Sequence, residues 1–173
     1  MDSERSRFAN WAFVAIGSNL GDPATHVLRA IERLREFSDH ALSASSLWQS
    51  APVDCPPGSP WFINAVVGLV PRREATPEAW LDRLQALERE LGRKPKQVLN
   101  EPRPIDLDLL TFRGETRTTA SLTLPHPRAH RRRFVLVPLA EVAPELCLPG
   151  FSQTVAELRD GLEESGERLV RLA

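Results

Sequence analysis

The stretch Glu101-Pro102-Arg103-Pro104-Ile105-Asp106-Leu107-Asp108-Leu109-Leu110 sets acids against aliphatics in strict alternation, behind an arginine held between prolines. On a strand, successive side chains point to opposite faces. Asp106 and Asp108 therefore share one face and Ile105, Leu107 and Leu109 take the other, with roughly 7 Å between the two carboxylates. Two charges on a buried strand need a cation. Magnesium keeps its waters and takes one or two protein carboxylates plus substrate phosphates, so it fits such a sparse site better than calcium does. The same alternation also describes a half-buried edge strand with a solvated polar face. Arg103, three residues before Asp106, adds a group suited to anions.

Working outward, the segment before this strand is the clearest helix in the chain. Thr76 caps it, Pro77 starts it, Trp80, Leu81, Leu84, Leu87 and Leu91 supply the buried stripe, and Gly92 stops it. Further upstream, residues 13–16 read as a strand ending in the turn Gly17-Ser18-Asn19-Leu20-Gly21. Asp22 and Pro23 then open a helix that carries Val27, Leu28, Ile31 and Leu34 on one face and ends near Phe37. Residues 41–49 and 61–70 suggest two strands flanking the proline-rich loop 52–60. Downstream, residues 122–124 read as a short extended piece, 134–139 as a strand, 155–162 as a helix and 168–172 as a last strand. Helices interleaved with strands that are also joined by direct loops predict an α+β sandwich, with an antiparallel or mixed sheet covered by helices.

Composition narrows the function. The chain has 173 residues, enough for one core without disulfide or structural metal. We expect a disordered tail over residues 1–10 and a single domain over 11–173. The formal charge is -1, from 22 basic and 23 acidic residues, so no global field draws the protein to nucleic acid or to a membrane. Cys55 and Cys147 lack the paired spacing of a zinc or redox motif, which predicts reduced thiols and a cytoplasmic protein. The apolar run 11–16 is too short for a signal-peptide core or a membrane span.

Three further groups suit phosphate or a heterocycle. Arg93 and Arg103 bracket a loop carrying Lys94 and Lys96, which resembles a flexible clamp for phosphate and also fits a merely solvated basic loop. His126, Arg128, His130, Arg131, Arg132 and Arg133 form a dense positive patch in an otherwise neutral chain. The spacing of His126 and His130 permits a zinc site, but Pro127 and the lack of a further ligand nearby disfavour it. Gln85 and Glu88 lie one turn apart on the second helix and suit a ribose, a ring nitrogen or solvent. Phe62 and Asn64 share a strand face, where a ring beside an amide suits a flat heterocycle, although strand phenylalanines are more often core.

The strings FVAIGSNLGDP, SAPVDCPPGSPWFINAVVGL, LERELGR, PRPIDLDLLTF and LPHPRAHRRRFVLVPLAEVAPEL, in this order and spacing, resemble the 6-hydroxymethyl-7,8-dihydropterin pyrophosphokinases of the folate pathway over about residues 13–149. The resemblance implies a ferredoxin-like α/β/α sandwich with a largely antiparallel sheet. It also implies transfer of the β,γ-diphosphate of ATP to the pterin hydroxymethyl group, with release of AMP. By the same resemblance Asp106 and Asp108 would hold two magnesium ions, and Phe62 and Phe134 would flank the pterin ring. Asn64 would read the ring edge, together with Ser50, Pro52 and Val53. Gln85, Glu88, Arg93, Arg103, Thr123, His126 and Arg132 would fall at nucleotide or phosphate positions, with Arg93 and Arg103 stabilising charge during transfer. ATP and a reduced pterin would be the partners of a monomer that binds neither nucleic acid nor membrane. The chain departs from well-known members in having no tyrosine, in Pro95 and Asn100 where some carry arginine and tryptophan, and in Pro127 where an aromatic is usual.

Two rival classes follow from the residues alone. A nucleic-acid module would use the patch 128–133 and the phenylalanines but would leave Asp106 and Asp108 unexplained. A γ-phosphoryl kinase would release ADP, and no Gly-Lys-Ser/Thr loop is present to make it a P-loop enzyme. A regulatory binder that has lost activity is a weaker possibility, because the acidic and basic positions are all in place.

Overall fold

The computed structural model of the chain describes residues 7–162 and 167–173. Its main sheet orders the strands β5 (Asp106–Phe112), β1 (Ala12–Ser18), β4 (Phe62–Leu69), β3 (Trp48–Ser50) and β8 (Leu169–Arg171), with β2 (Ser43–Ala44) also on β4. Every pairing described is antiparallel. A second ribbon joins β6 (Arg117–Thr118) to β7 (Thr123–Leu124).

Alternation along the strands sorts two cores. Ala12, Val14 and Ile16 of β1, with Ile63, Ala65 and Val67 of β4, meet α1 (Pro23–Leu34) and α2 (Pro77–Glu90) on one face. Phe13, Val66 and Leu110 meet α3 (Arg133–Val142) and α4 (Val155–Gly161) on the other. The result is the α/β/α sandwich expected. Phe13 pairs with Thr111 and Val14 with Leu109, so Leu110 is an extra residue that switches the face of β5. On the first face Trp80 is buried edge-on to Phe37 and Phe112, with centroids at 5.7 and 5.4 Å; such pairs add about 0.5–1.5 kcal/mol beyond area.

The caps follow the sequence. Asp22 and Thr76 accept backbone N–H groups at the starts of α1 and α2, and each helix begins with proline. The last turn of the first helix tightens to 3₁₀ geometry over Arg35–Phe37. Gly92 adopts φ +98°, a conformation that costs glycine little, and the chain turns back at that point.

Two expectations need correction. Residues 134–139 lie in helix α3, not in a strand. Val135, Leu136, Leu139 and Ala140 are buried together at helical spacing, and a short run apolar on all sides does not distinguish a buried helix from a buried strand. Pro138 sits inside this helix, where its missing N–H leaves the Phe134 carbonyl without its usual intrahelical donor. The expected tail lies outside the described residues for 1–6, but within 7–10 Phe8 is buried against Trp11 and Phe13. Among the described residues no helix is long and apolar enough to cross a membrane.

Candidate active site

The end of the sheet where β1 finishes and β4 and β5 begin opens into a cavity beneath α3. It is lined by Ala15, Ile16, Gly17, Ser50, Ala51, Val53, Asp54, Cys55, Phe62, Asn64, Asn100, Arg103, Asp106, Asp108, Arg132, Phe134 and Val135. The period of two places Phe62 and Asn64 of β4, and Asp106 and Asp108 of β5, on the face toward α3, with β1 running between them. Phe134 reaches the same space from the first turn of α3.

One side of the cavity is fixed by neutral hydrogen bonds. Asn64 is 5% exposed and donates its Nδ2 to Ser50 Oγ at 2.7 Å. That bond leaves the amide oxygen as the group Asn64 offers to the cavity. Gly17 keeps the floor open, since a Cβ there would lie 3.5 Å from Asn64 Oδ1 and 3.8 Å from Phe62 Cδ1.

Charge crowds the other side. Gly92 returns the chain so that the Arg93 N–H bonds the Glu88 carbonyl at 2.9 Å, and the Arg93 side chain folds back along the helix end. Its Nη1 donates to Glu88 Oε1 at 2.6 Å and also to Asp106 Oδ1. The second oxygen of Asp106 takes Arg103 Nη2 at 2.9 Å and Nε at 3.1 Å. Glu88 Oε1 also accepts the Leu107 N–H at 2.7 Å, which ties α2 to the start of β5.

Burial pushes the Asp106 carboxyl up, but Arg103 and Arg93 outweigh burial and hold it below its ordinary range. Asp108 has no guanidinium within salt-bridge distance among the described residues. Burial first, and the Asp106 charge second, push it up. Its side chain is 40% exposed toward the cavity mouth, so water tempers that shift without reversing it. Glu88 is pushed up to about 7, mainly by burial. His126 Nε2 lies 4.0 Å from Asp108 Oδ2, and burial followed by Arg132 and Arg128 holds its imidazole down at about 4. Arg132 makes no ion pair among the described residues and lies over Phe134 at 5.4 Å, as Arg103 lies over Phe62 at 5.4 Å.

Of the residues expected at a site, nine line this cavity: Ser50, Val53, Phe62, Asn64, Arg103, Asp106, Asp108, Arg132 and Phe134. Arg93, Glu88 and His126 stand just behind, through Asp106 and Asp108. Pro52 is not among the lining residues, and Gln85 and Thr123 are exposed outside it. Arg93, Lys94, Lys96, Glu101 and Arg103 line a second depression under the clamp loop. Asn100, Asp54 and Gly17 were not assigned from sequence. Asn100 Nδ2 donates to the Asp54 carbonyl at 2.7 Å and joins the two loops over the cavity. Both residues have φ above +50°.

The chain resembles known proteins over most of its length. A family model described as 7,8-dihydro-6-hydroxymethylpterin-pyrophosphokinase matches residues 13–144. The 2-amino-4-hydroxy-6-hydroxymethyldihydropteridine pyrophosphokinase of Haemophilus influenzae is 38% identical over 148 residues, covering 85% of this chain and 89% of that one. The protein of the same description from Methylorubrum extorquens is 36% identical over 155 residues, covering 90% and 95%. Among solved structures, an HPPK-DHPS in complex with substrates superposes with TM-score 0.69 at 13% identity, covering 87% of this chain and 43% of that chain. Plasmodium falciparum HPPK-DHPS with pteroate gives TM-score 0.68 at 14% identity, covering 87% and 42%. The chain thus spans less than half of those two-part chains, and at such identity the likeness speaks for the fold. On the family model and the sequence relatives together, the chain belongs to the 7,8-dihydro-6-hydroxymethylpterin-pyrophosphokinase family.

Proposed function

We propose that the protein transfers the β,γ-diphosphate of ATP to the hydroxymethyl group of 6-hydroxymethyl-7,8-dihydropterin in folate biosynthesis. The observation that carries this reading is one cavity that sets two phenylalanines and an edge-reading amide beside a pair of carboxylates and their arginines. A flat ring held between Phe62 and Phe134, with its edge on Asn64 Oδ1, leaves a ring substituent facing Asp106 and Asp108.

Asp106 and Asp108 fit a divalent cation. They share one strand face, and the Asp106 charge already raises Asp108, which a cation between them would relieve. The described residues hold no group of three or more His, Cys, Asp or Glu arranged for a metal. Two carboxylates on one face suit magnesium, two ions that would share their coordination with water and phosphate oxygens. When bound, magnesium neutralises the triphosphate and favours loss of the hydroxyl proton.

The chain's own residues do the rest. The hydroxymethyl oxygen attacks the β-phosphorus in line, the bond from that phosphorus to the α,β-bridging oxygen breaks, and AMP leaves with the bridging oxygen. The hydroxyl proton passes to solvent. Arg93, Arg103 and Arg132 face the developing negative charge, and phosphoryl-type transfer needs little more than such positioning. Arg132, unpaired among the described residues, is ready for phosphate; Arg93 and Arg103 must first loosen from Asp106. Val53, Val98 and Leu99 are exposed on the two loops, and closure of the loop 94–102 would cover them and exclude water. The unpaired Cys55 and Cys147 fit a reducing compartment such as the cytoplasm, and the near-zero charge supplies no general attraction to nucleic acid or to a membrane.

Phosphorus NMR of the purified protein with ATP, magnesium and the pterin tests the reading. AMP and a pterin diphosphate should appear together. Appearance of ADP would contradict it and indicate a γ-phosphoryl kinase.

A further inference from the structure

We infer that Asn19 is a positioning residue that fixes Arg103 and the Phe62 wall relative to each other. The inference rests on the pyrophosphoryl-transfer reading of the same site. Asn19 sits in the turn after β1 and is 1% exposed. Its Oδ1 accepts the Arg103 N–H at 2.9 Å, and its own N–H donates to the Arg103 carbonyl at 3.1 Å. Arg103, 84 positions away, is thereby held on both sides of its α-carbon. The other end of the same amide, Nδ2, donates to the Pro60 carbonyl at 3.2 Å, two residues before Phe62.

Both proline-rich loops therefore end on one side chain. Loops 52–60 and 94–104 have no strand or helix of their own to set their height above the sheet. Asn19 supplies that reference. Arg103 reaches Asp106 at 2.9 Å and lies over Phe62 at 5.4 Å, so the charge centre and the ring wall inherit their spacing from this knot. The strap between Asn100 and the Asp54 carbonyl joins the loop tips where water competes; the Asn19 bonds are shielded and stronger for it.

The chemistry requires an amide. One end must accept and the other must donate, at a length that spans Arg103 and Pro60. Asn19→Asp keeps the acceptor for the Arg103 N–H but turns a second acceptor toward the Pro60 carbonyl, cutting one arm. Asn19→Ala removes both side-chain arms and leaves the backbone bond.

Steady-state kinetics of wild type, Asn19→Asp and Asn19→Ala, with hydrogen exchange at the Arg103 amide, test the inference. For Asn19→Asp we expect KM for the pterin to rise about tenfold, the scale of one lost buried hydrogen bond, with kcat largely kept and the Arg103 amide still protected. For Asn19→Ala we expect the same rise, a fall in kcat approaching a hundredfold, and loss of Arg103 protection. Either variant, folded by circular dichroism, with unchanged kinetic constants would reduce Asn19 to a structural residue and overturn the inference. So would an Asn19→Asp enzyme that loses kcat at unchanged pterin KM. If wild type itself yields no AMP, the functional reading fails, while the amide protection still reports whether Asn19 holds Arg103.

Discussion

The aromatic side of the cavity stands on β3 and β4 and the charged side on β5 and the loop before it, and the two differ in what satisfies them. Phe62, Asn64 and Ser50 are buried and fixed by a neutral hydrogen bond that does not involve the group facing the cavity. Arg93, Arg103 and Asp106 spend their polar groups on one another. The first side is shaped in advance by strand register. The second is held in a paired arrangement that, on the proposed function, substrate phosphates and magnesium would rearrange.

The sharpest way to break this contrast is to remove charge. Arg93→Ala should lower kcat about a hundredfold to a thousandfold, measured by AMP release, because one donor to the transferring group is lost. An unchanged kcat would remove Arg93 from the charged side. Next in size is the ring wall. Phe62→Ala should weaken pterin binding by about 1–3 kcal/mol in a fluorescence titration, the scale of aromatic stacking on a base, while Phe62→Tyr should stay close to wild type. If nucleotide binding weakened instead, the wall would be wrongly assigned. Gly17→Ala should follow at about 1 kcal/mol on pterin affinity, since the added methyl enters the floor without a backbone clash. A smaller effect comes from pH. Because His126 is held at about 4 when folded, against an ordinary 6.5, the unfolded chain takes up the proton first. Its contribution to stability is present above 6.5 and is lost as pH falls from there through about 4. His126→Gln should therefore flatten that part of a urea-denaturation series, and an unaltered slope would mean the imidazole is not so shielded.

Legibility followed locality. The acid–aliphatic alternation of β5, the faces of Phe62 and Asn64, and the proline and glycine bounds of α2 were readable because each is set by two to four neighbouring residues. The backbone at 134–139 was not readable, because an apolar run buried on all sides carries no period to distinguish helix from strand. Phe134 nevertheless reaches the cavity, from a helix turn in place of a strand. Asn19, Asn100 and the grip of Glu88 on Arg93 were hidden for another reason: each joins segments distant in sequence or turned back by a positive-φ residue, and nothing local marks them. Thr123 and Pro52 came from the family resemblance alone and Gln85 from its helical spacing with Glu88 as well, and all three lie outside the cavity lining.

The separation of ring recognition from charge handling is tested most directly by Asp108→Asn, a change that removes charge and little volume. Its kcat and its pterin dissociation constant, measured side by side, give the answer. The account predicts a kcat at least about a hundredfold lower, with pterin affinity altered by less than about 0.5 kcal/mol. A kcat near wild type, or a loss of pterin affinity as large as the loss of rate, would contradict it.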